Sequence, residues 1–282
     1  MIYPVLYTGT HRPWWLWNGA VDFRLFVSHR TLGKYRSLPR SRVPWALDSG
    51  GFSELSMFGE WRTTPEEYVR AVARYDAELR HLEWAAPQDW MCEAVILAKT
   101  GLTVAEHQRR TVANYLTLTE LWPQHSDNSC PFMPVLQGEP GNGASYLRCA
   151  ALYDEAGIRL TDYPVTGVGT VCRIQGTNLV GPVARALWPL GLRLHWFGVK
   201  MTGLPEIWPP EEHAGVLTSF DSMAWSYGAR RSPRMAGCEH RGNCANCPAA
   251  ARAWRERVLR LAGRMERRGW QGELFGETGE AA

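Results

Sequence analysis

Eight apolar runs recur along the chain, and most of them stop at a small or polar residue. Runs 2–7, 22–27, 43–47 and 82–87 are followed by Thr8-Gly9, Ser28-His29, Asp48 and Gln88-Asp89. Runs 132–136, 192–199 and 216–220 are followed by Gln137-Gly138, Lys200 and Asp221, and run 163–168 ends at Gly169. Helical patterns lie between most of the later runs. Thr64-Pro65-Glu66-Glu67 supplies an N-cap, a first-turn proline and acids at the positive end of a helix dipole. Tyr68, Val69, Val72, Ala73 and Leu79 follow near helical spacing. Thr103 and Glu106 form a capping box for a helix towards Leu121. Segments 143–156 and 179–187 are two further helices.

Strands alternating with helices imply a parallel sheet. About eight strands closed on themselves give an α/β fold of the (β/α)8 TIM-type barrel class, whose chemistry sits at the C-terminal strand ends. An apolar run with a polar tip is what that geometry requires. The first two links are too short for full helices, so the start of the chain is expected to be irregular or partly antiparallel. An open doubly wound sheet is the alternative, disfavoured because no GxGxxG follows a strand. The expected division is a barrel core over 1–230, a zinc-binding element and basic helix over 231–272 packed on the barrel, and a flexible tail over 273–282. At 282 residues the chain suffices for one large domain. No apolar stretch reaches membrane-span length and no signal peptide is evident, so the cytoplasm is the expected location and no membrane the expected partner.

Three of the tips are carboxylates: Asp48, Asp89 and Asp221. Gathered at one rim, they suit substitution at a sugar's anomeric carbon, one attacking C1′ and another managing the leaving group's proton. The competing reading is that each Asp caps a turn or helix. Gln137-Gly138 and Gly167-Val168-Gly169 suggest a base pocket: Gln offers a donor and an acceptor to a base edge, and glycines allow close approach to the backbone.

Seven cysteines are present. Cys92, Cys130, Cys149 and Cys172 are scattered and are expected to be ordinary buried thiols. Cys238, His240, Cys244 and Cys247 fall within ten residues, a Cys3His pattern that suits structural Zn2+. His213 or a remote Cys is the alternative fourth ligand, and an iron–sulfur cluster or free thiols the alternative use. Net charge is only +3, so the distribution of charge matters more than its sum. Basic residues concentrate at Arg30, Lys34, Arg36, Arg40 and Arg42, at Arg230, Arg231, Arg234 and Arg241, and along a C-terminal helix. There Arg257, Arg260, Arg264 and Arg268 form one stripe and Trp254, Val258, Leu261 and Met265 another. A solvated face or a phosphate-tracking surface both fit such a pattern.

Asp48-Ser49-Gly50-Gly51-Phe52 resembles the DSGGF motif of the tRNA-guanine transglycosylase superfamily. Gln137-Gly138 resembles its strand-end Gln-Gly, Gly167-Val168-Gly169 its base-pocket loop, and Phe220-Asp221 with Arg230-Arg231 its nucleophile segment. The Cys/His cluster follows in the same order, and the resemblance spans residues 43–250. The changed zinc spacing, and Ser-Met-Ala-Trp after Asp221 in place of Pro-Thr-Arg, are more similar to the DpdA-type branch that acts on DNA. The resemblance implies a glycosyltransferase that exchanges guanine in DNA for a 7-deazaguanine such as preQ0. It implies Asp221 as nucleophile and Asp48 as general acid/base. Asp89, Gln137 and the backbone near Gly167–Gly169, with Ser49, Gly50, Gly51, Phe52 and Gly138 around them, would bind the base. Arg230, Arg231 and Arg234 would bind nucleic acid, and other proteins of a modification system are conceivable partners. The alternatives are the same reaction on tRNA, a base-excising glycosidase, and a non-catalytic zinc nucleic-acid-binding protein.

Overall fold

The computed structural model describes residues 4–174 and 178–274, with side chains through Arg267. Each of the eight apolar runs overlaps a strand. These are β1 (Val5–Thr10), β2 (Leu25–Ser28), β3 (Trp45–Asp48), β4 (Leu82–Ala85), β5 (Val135–Leu136), β6 (Thr166–Val168), β7 (Leu194–Trp196) and β8 (Leu217–Ser222). They form one sheet in the order β4-β3-β2-β1-β8-β7-β6-β5, and every neighbouring pair is parallel. The sheet's two ends meet at a parallel bridge between Ala85 and Phe132. Ala85 N–H donates to Pro131 O at 2.8 Å, and Met133 N–H donates to Ala85 O at 3.2 Å. The expected α/β barrel is therefore present, and the antiparallel option for its start is not. The first crossover is a single 3-10 turn, Pro13–Leu16, and the second contains only α1 (His29–Leu32).

The remaining helices are α2 (Gly51–Phe58), α3 (Pro65–Leu79), α4 (Ala94–Thr100), α5 (Val104–Leu121), α6 (Gly143–Glu155), α7 (Val180–Leu187), α8 (Leu204–Ile207), α9 (Ala224–Ala229) and α10 (Pro248–Leu274). At the start of α3, Thr64 and Glu67 complete a reciprocal capping box, and Tyr68, Val69, Val72, Tyr75 and Leu79 are buried. At α5 only half of the expected box forms. Thr103 accepts from Glu106 N–H, but the Glu106 carboxylate is drawn instead to Arg109 and Arg110.

Side chains alternate across each strand, so two cores form. Leu25, Val27, Trp45, Leu47, Leu194, Trp196 and Phe220 point outward into the layer shared with the helices. Tyr7, Ala46, Trp84, Met133 and Val135 point inward, with Phe26 and Phe197 packed against them. Gly167 lies inside as well: a Cβ there would meet Phe197 at 2.8 Å and Val135 at 2.9 Å. The barrel centre is therefore filled, and any open space is pushed to its ends.

The 231–272 segment is not separate from the barrel's outer core. Cys244, Cys247, Ala250, Ala251 and Trp254 belong to the same buried cluster as the strands' outward side chains. On α10, Arg252 pairs with Asp22 at 2.6 Å, and the Arg255 guanidinium donates to Leu6 O at 2.7 Å. Both partners sit where β1 and β2 begin. Trp254 and Val258 are buried while Arg257, Arg260 and Arg264 are exposed, as the two stripes require. The Arg268 side chain and residues 275–282, most of the expected tail, lie outside the described residues. Among the described residues, no helix is long and apolar enough to cross a membrane.

Candidate active site

A cavity of about 330 Å3 opens at the C-terminal end of the barrel, and Asp48, Asp89 and Asp221 all line it. The alternation that fills the barrel centre also delivers these groups. Ser28, Asp48 and Asp221 continue the inward-facing series of β2, β3 and β8, one step beyond Phe26, Ala46 and Ser219.

Asp48 is half-buried at the end of β3. Its Oδ1 accepts from Gly50 N–H at 3.0 Å, so it does hold a turn as well as face the cavity. Burial pushes its carboxyl above the ordinary carboxylate range, against hydrogen bonds from Gly50 and Ser28, and the nearby Asp221 charge adds to the rise. Within the DSGGF stretch, Ser49 and Phe52 also line the cavity. The two glycines serve the packing behind it. Gly50 has φ +79°, and a Cβ on Gly51 would meet Met91 at 2.6 Å and Trp61 at 2.7 Å.

Asp221 is 6% exposed, near the end of β8. Its Oδ1 accepts from Gly198 N–H at 2.9 Å and faces His195 Nε2 at 3.4 Å. Both contacts use Oδ1, which leaves Oδ2 for a reacting atom. His195 is wholly buried, among Tyr7, Phe26, Trp84 and Phe197, and its Nδ1 lies 2.9 Å from Ser219 Oγ. Burial lowers the His195 pKa, against the pull of Asp221, so the neutral ring is favoured. A carboxylate can only accept, so the neutral tautomer that suits Asp221 carries its proton on Nε2 and accepts from Ser219 at Nδ1. The sequence reading missed His195. Its signal was the period-two pattern of run 192–199, which turns His195 and Phe197 to one face and Leu194 and Trp196 to the other.

Asp89 lies four residues beyond the end of β4, not at the strand tip, and the 86–93 segment folds it back into the cavity wall. The Gln137 amide donates to its Oδ2, Thr170 hydroxyl donates to Gln137 Oε1, and Cys92 N–H donates to Thr170 Oγ1 at 2.7 Å. Gln137 is thus wholly buried behind Asp89, not at the cavity surface as a base reader. Gly169 makes room for it, since a Cβ there would fall 2.2 Å from Gln137 Nε2. The expected use of the glycine backbone also changes. Gly167 N–H donates to Pro134 O, Gly169 N–H to Leu136 O, and Gly169 O accepts from Tyr146 hydroxyl. Gly138 packs against the Tyr146 ring, where a Cβ would approach to 2.5 Å. These glycines fit β5, β6 and α6 together; of them only Gly169 reaches the cavity.

Burial raises the Asp89 pKa to about 7; the Gln137 bond opposes the rise, while the Asp48 and Glu93 charges add to it. Glu93, which the sequence reading did not single out, is 7% exposed, and its Oε2 has no hydrogen-bond partner. Burial raises its pKa too, against a hydrogen bond from its own backbone and the Arg173 charge. Arg173 stands at the rim, 4.2 Å over the Phe52 ring. Cys172 on the same rim is exposed as a residue, but its sulfur packs inward beside Gly198, and that desolvation raises its pKa to about 11. Cys130, in the loop before β5, is exposed as well, whereas Cys92 and Cys149 are buried as expected.

Beside the mouth, Arg230 is close enough to His11 on the cavity wall to help burial depress its pKa. Arg231 stacks over the exposed Tyr227 at 4.1 Å. Arg234 is exposed and donates to His240 O at 2.8 Å.

Cys238, His240, Cys244 and Cys247 come together, with their donor atoms within 4.8 Å of one another. Cys238 Sγ lies 3.7 Å from Cys247 Sγ, and Cys244 Sγ 3.6 Å from His240 Nε2. A tetrahedral zinc with sulfur at ~2.3 Å holds its ligand atoms about 3.5–3.8 Å apart, so the donor set fits that ion. His240 takes the fourth position that had been open between it, His213 and a remote Cys. The Ser226 hydroxyl of α9 donates to Ala245 O at 2.7 Å, tying this loop to the helix that follows Asp221.

A family model described as DpdA, DeoxyPurine in DNA protein A, matches residues 3–273. No match is found among curated proteins.

Proposed function

The chain belongs to the DpdA family, and we propose from that premise that it exchanges guanine in DNA for a 7-deazaguanine base through a covalent glycosyl–aspartate. Membership supports DNA modification with a 7-deazaguanine in general. The observation that carries the finer reading is the pair of carboxyls, Asp48 and Asp221, on one cavity wall in unlike surroundings. Asp48 is disposed to keep a proton. Asp221 is fixed through one oxygen with the other free. Two carboxyls so differentiated divide the roles of acid and nucleophile.

A target guanine nucleotide is extruded from the duplex into the barrel mouth, at a cost of about a few kcal/mol. Phe52 offers a face for the base and Asp89 an acceptor for its N1–H and exocyclic amine. Asp221 Oδ2 attacks C1′ as the C1′–N9 bond breaks, and the leaving guanine takes the proton of Asp48. A free 7-deazaguanine such as preQ0 then enters. Asp48 removes its N9 proton, N9 attacks C1′, and the bond to Asp221 breaks, restoring both carboxyls. One glycosidic bond is exchanged for another, so no ATP or redox cofactor is required. Exposed Arg230 and Arg231 would meet phosphates beside the mouth. Zinc at Cys238, His240, Cys244 and Cys247 would have four protein ligands and no open position, a structural arrangement that pins the loop behind α9.

The test is to incubate the protein with preQ0 and either duplex DNA or bulk tRNA, digest to nucleosides and analyse by mass spectrometry. A deoxynucleoside carrying the deazaguanine is expected. A modified ribonucleoside would move the reaction to tRNA. Abasic sites formed without added base would make the protein a glycosidase. No turnover on either nucleic acid would leave the zinc-bearing binding protein.

A further inference from the structure

Among the described residues, several buried side-chain polar atoms lack a hydrogen-bond partner, and of these only the Glu93 carboxyl oxygen belongs to a residue lining the cavity. Buried polar groups are ordinarily paired, and an orphan facing a binding site is a candidate for a ligand's partner. Glu93 closes the 86–93 segment that carries Asp89, and it begins α4 without bonding any N–H of that helix through its side chain. It acts electrostatically on both Asp89 and Cys172, so it stands where the Asp89 wall meets the loop after β6.

Resting on the transglycosylase reading, the chemistry of the two bases narrows what Glu93 faces. Guanine and a 7-deazaguanine share the edge that Asp89 suits, and the incoming base is marked by its substituent at position 7. A site that releases the first and retains the second needs a group unused by the shared edge. We propose that Glu93 is a specificity-determining residue whose carboxyl donates a hydrogen bond to a neutral acceptor, such as a nitrile, at position 7 of the incoming base. Burial in the cavity wall favours the protonated carboxyl that such a bond needs, against the pull of Arg173. An aliphatic side chain there would leave the nitrile unpaired, the kind of loss by which polar sites discriminate most strongly.

The test is equilibrium binding of two free bases, preQ0 and unsubstituted 7-deazaguanine, to the wild type, Glu93→Gln and Glu93→Ala, with exchange into DNA measured alongside. The wild type is expected to prefer preQ0. Glu93→Ala is expected to reduce the ratio of the two affinities about tenfold, and Glu93→Gln, which keeps an N–H donor at similar size, to retain most of it. An unchanged ratio in Glu93→Ala, or an equal loss for both bases, overturns the assignment. If the wild type exchanges bases but shows no preference, Glu93 alone loses its role. A wild type that neither binds a base nor exchanges one overturns the transglycosylase reading and the assignment with it.

Discussion

Two clusters of reactive side chains stand close together in this barrel, and they are built in opposite ways. The Cys/His loop draws its four donors from ten consecutive residues, Cys238 to Cys247. The cavity draws Asp48 from β3, Asp89 from beyond β4, Thr170 from beyond β6 and Asp221 from β8. A local loop needs only a metal to fix its geometry, because little chain must be closed to bring the donors together. The cavity exists only once a ring of parallel strands has set every tip to one end. A metal held there would contribute stability that can be removed in one step. The cavity buries Asp48 and Asp89 in surroundings that raise their proton affinity, a cost the rest of the fold must offset.

Asp221→Asn breaks the comparison most sharply. Base exchange is expected to fall by about 10^4-fold or more, as when a nucleophile is lost, while the melting temperature stays within a few degrees. Near-normal exchange would remove Asp221 from its role. Cys244→Ser should do the reverse. Loss of one zinc per chain, read by metal analysis, is expected to lower the melting midpoint on the order of 10 °C, as a loss of a few kcal/mol does at this size. Gly169→Ala tests the support behind the cavity. The new methyl group would displace Gln137 from Asp89, and exchange efficiency is expected to fall about 100-fold, a scale typical for misplaced polar contacts. In a Gln137→Ala background the same change should add little, because the clash is gone.

The smallest effect is in pH dependence. The Asp89 carboxyl is near 7 in the fold and near 3.8 unfolded. Between those values the native state binds the extra proton, so this group makes stability fall as pH rises, by on the order of a few kcal/mol in all. Below about pH 4 the term vanishes, and above about 7 it is complete. Asp89→Asn is expected to flatten the difference between melting midpoints at pH 5 and pH 8. An unchanged difference would show that the fold does not raise the Asp89 pKa.

Much of this was legible in the chain. The eight runs are strands because apolar stretches bounded by Gly, Asp and Ser suit a sheet covered on both faces. Asp48 and Asp221 were legible because each closes such a run. The Cys/His loop was legible because three Cys and one His fall within ten residues, though the spacing left the fourth ligand open until His240 was seen beside Cys244. What escaped depends on packing across the ring. Gln137 looks like a reader of bases until Gly169 is seen to pin its amide behind Asp89. His195 is one polar residue in an aromatic strand, and only the register of β7 beside β8 puts it under Asp221. Glu93 follows Trp90, Met91 and Cys92 with no motif around it, and its burial comes from the fold-back of a loop whose path no local pattern fixes.

The Ala85–Phe132 bridge has a consequence for how the molecule breathes. The other strand neighbours are joined by ladders, but β4 and the approach to β5 share this isolated pairing, with a second cavity of about 240 Å3 between Glu83, Tyr115, Cys130 and Tyr163 beside it. The ring is thus a long ribbon fastened by one narrow clasp. Amide protons at Ala85 and Met133 are expected to trade with solvent before those within β1, which is flanked by ladders on both sides. Thermal opening would begin at that clasp and spread outward from it, while the β1–β8 pairing that joins the chain's early and late strands stays closed.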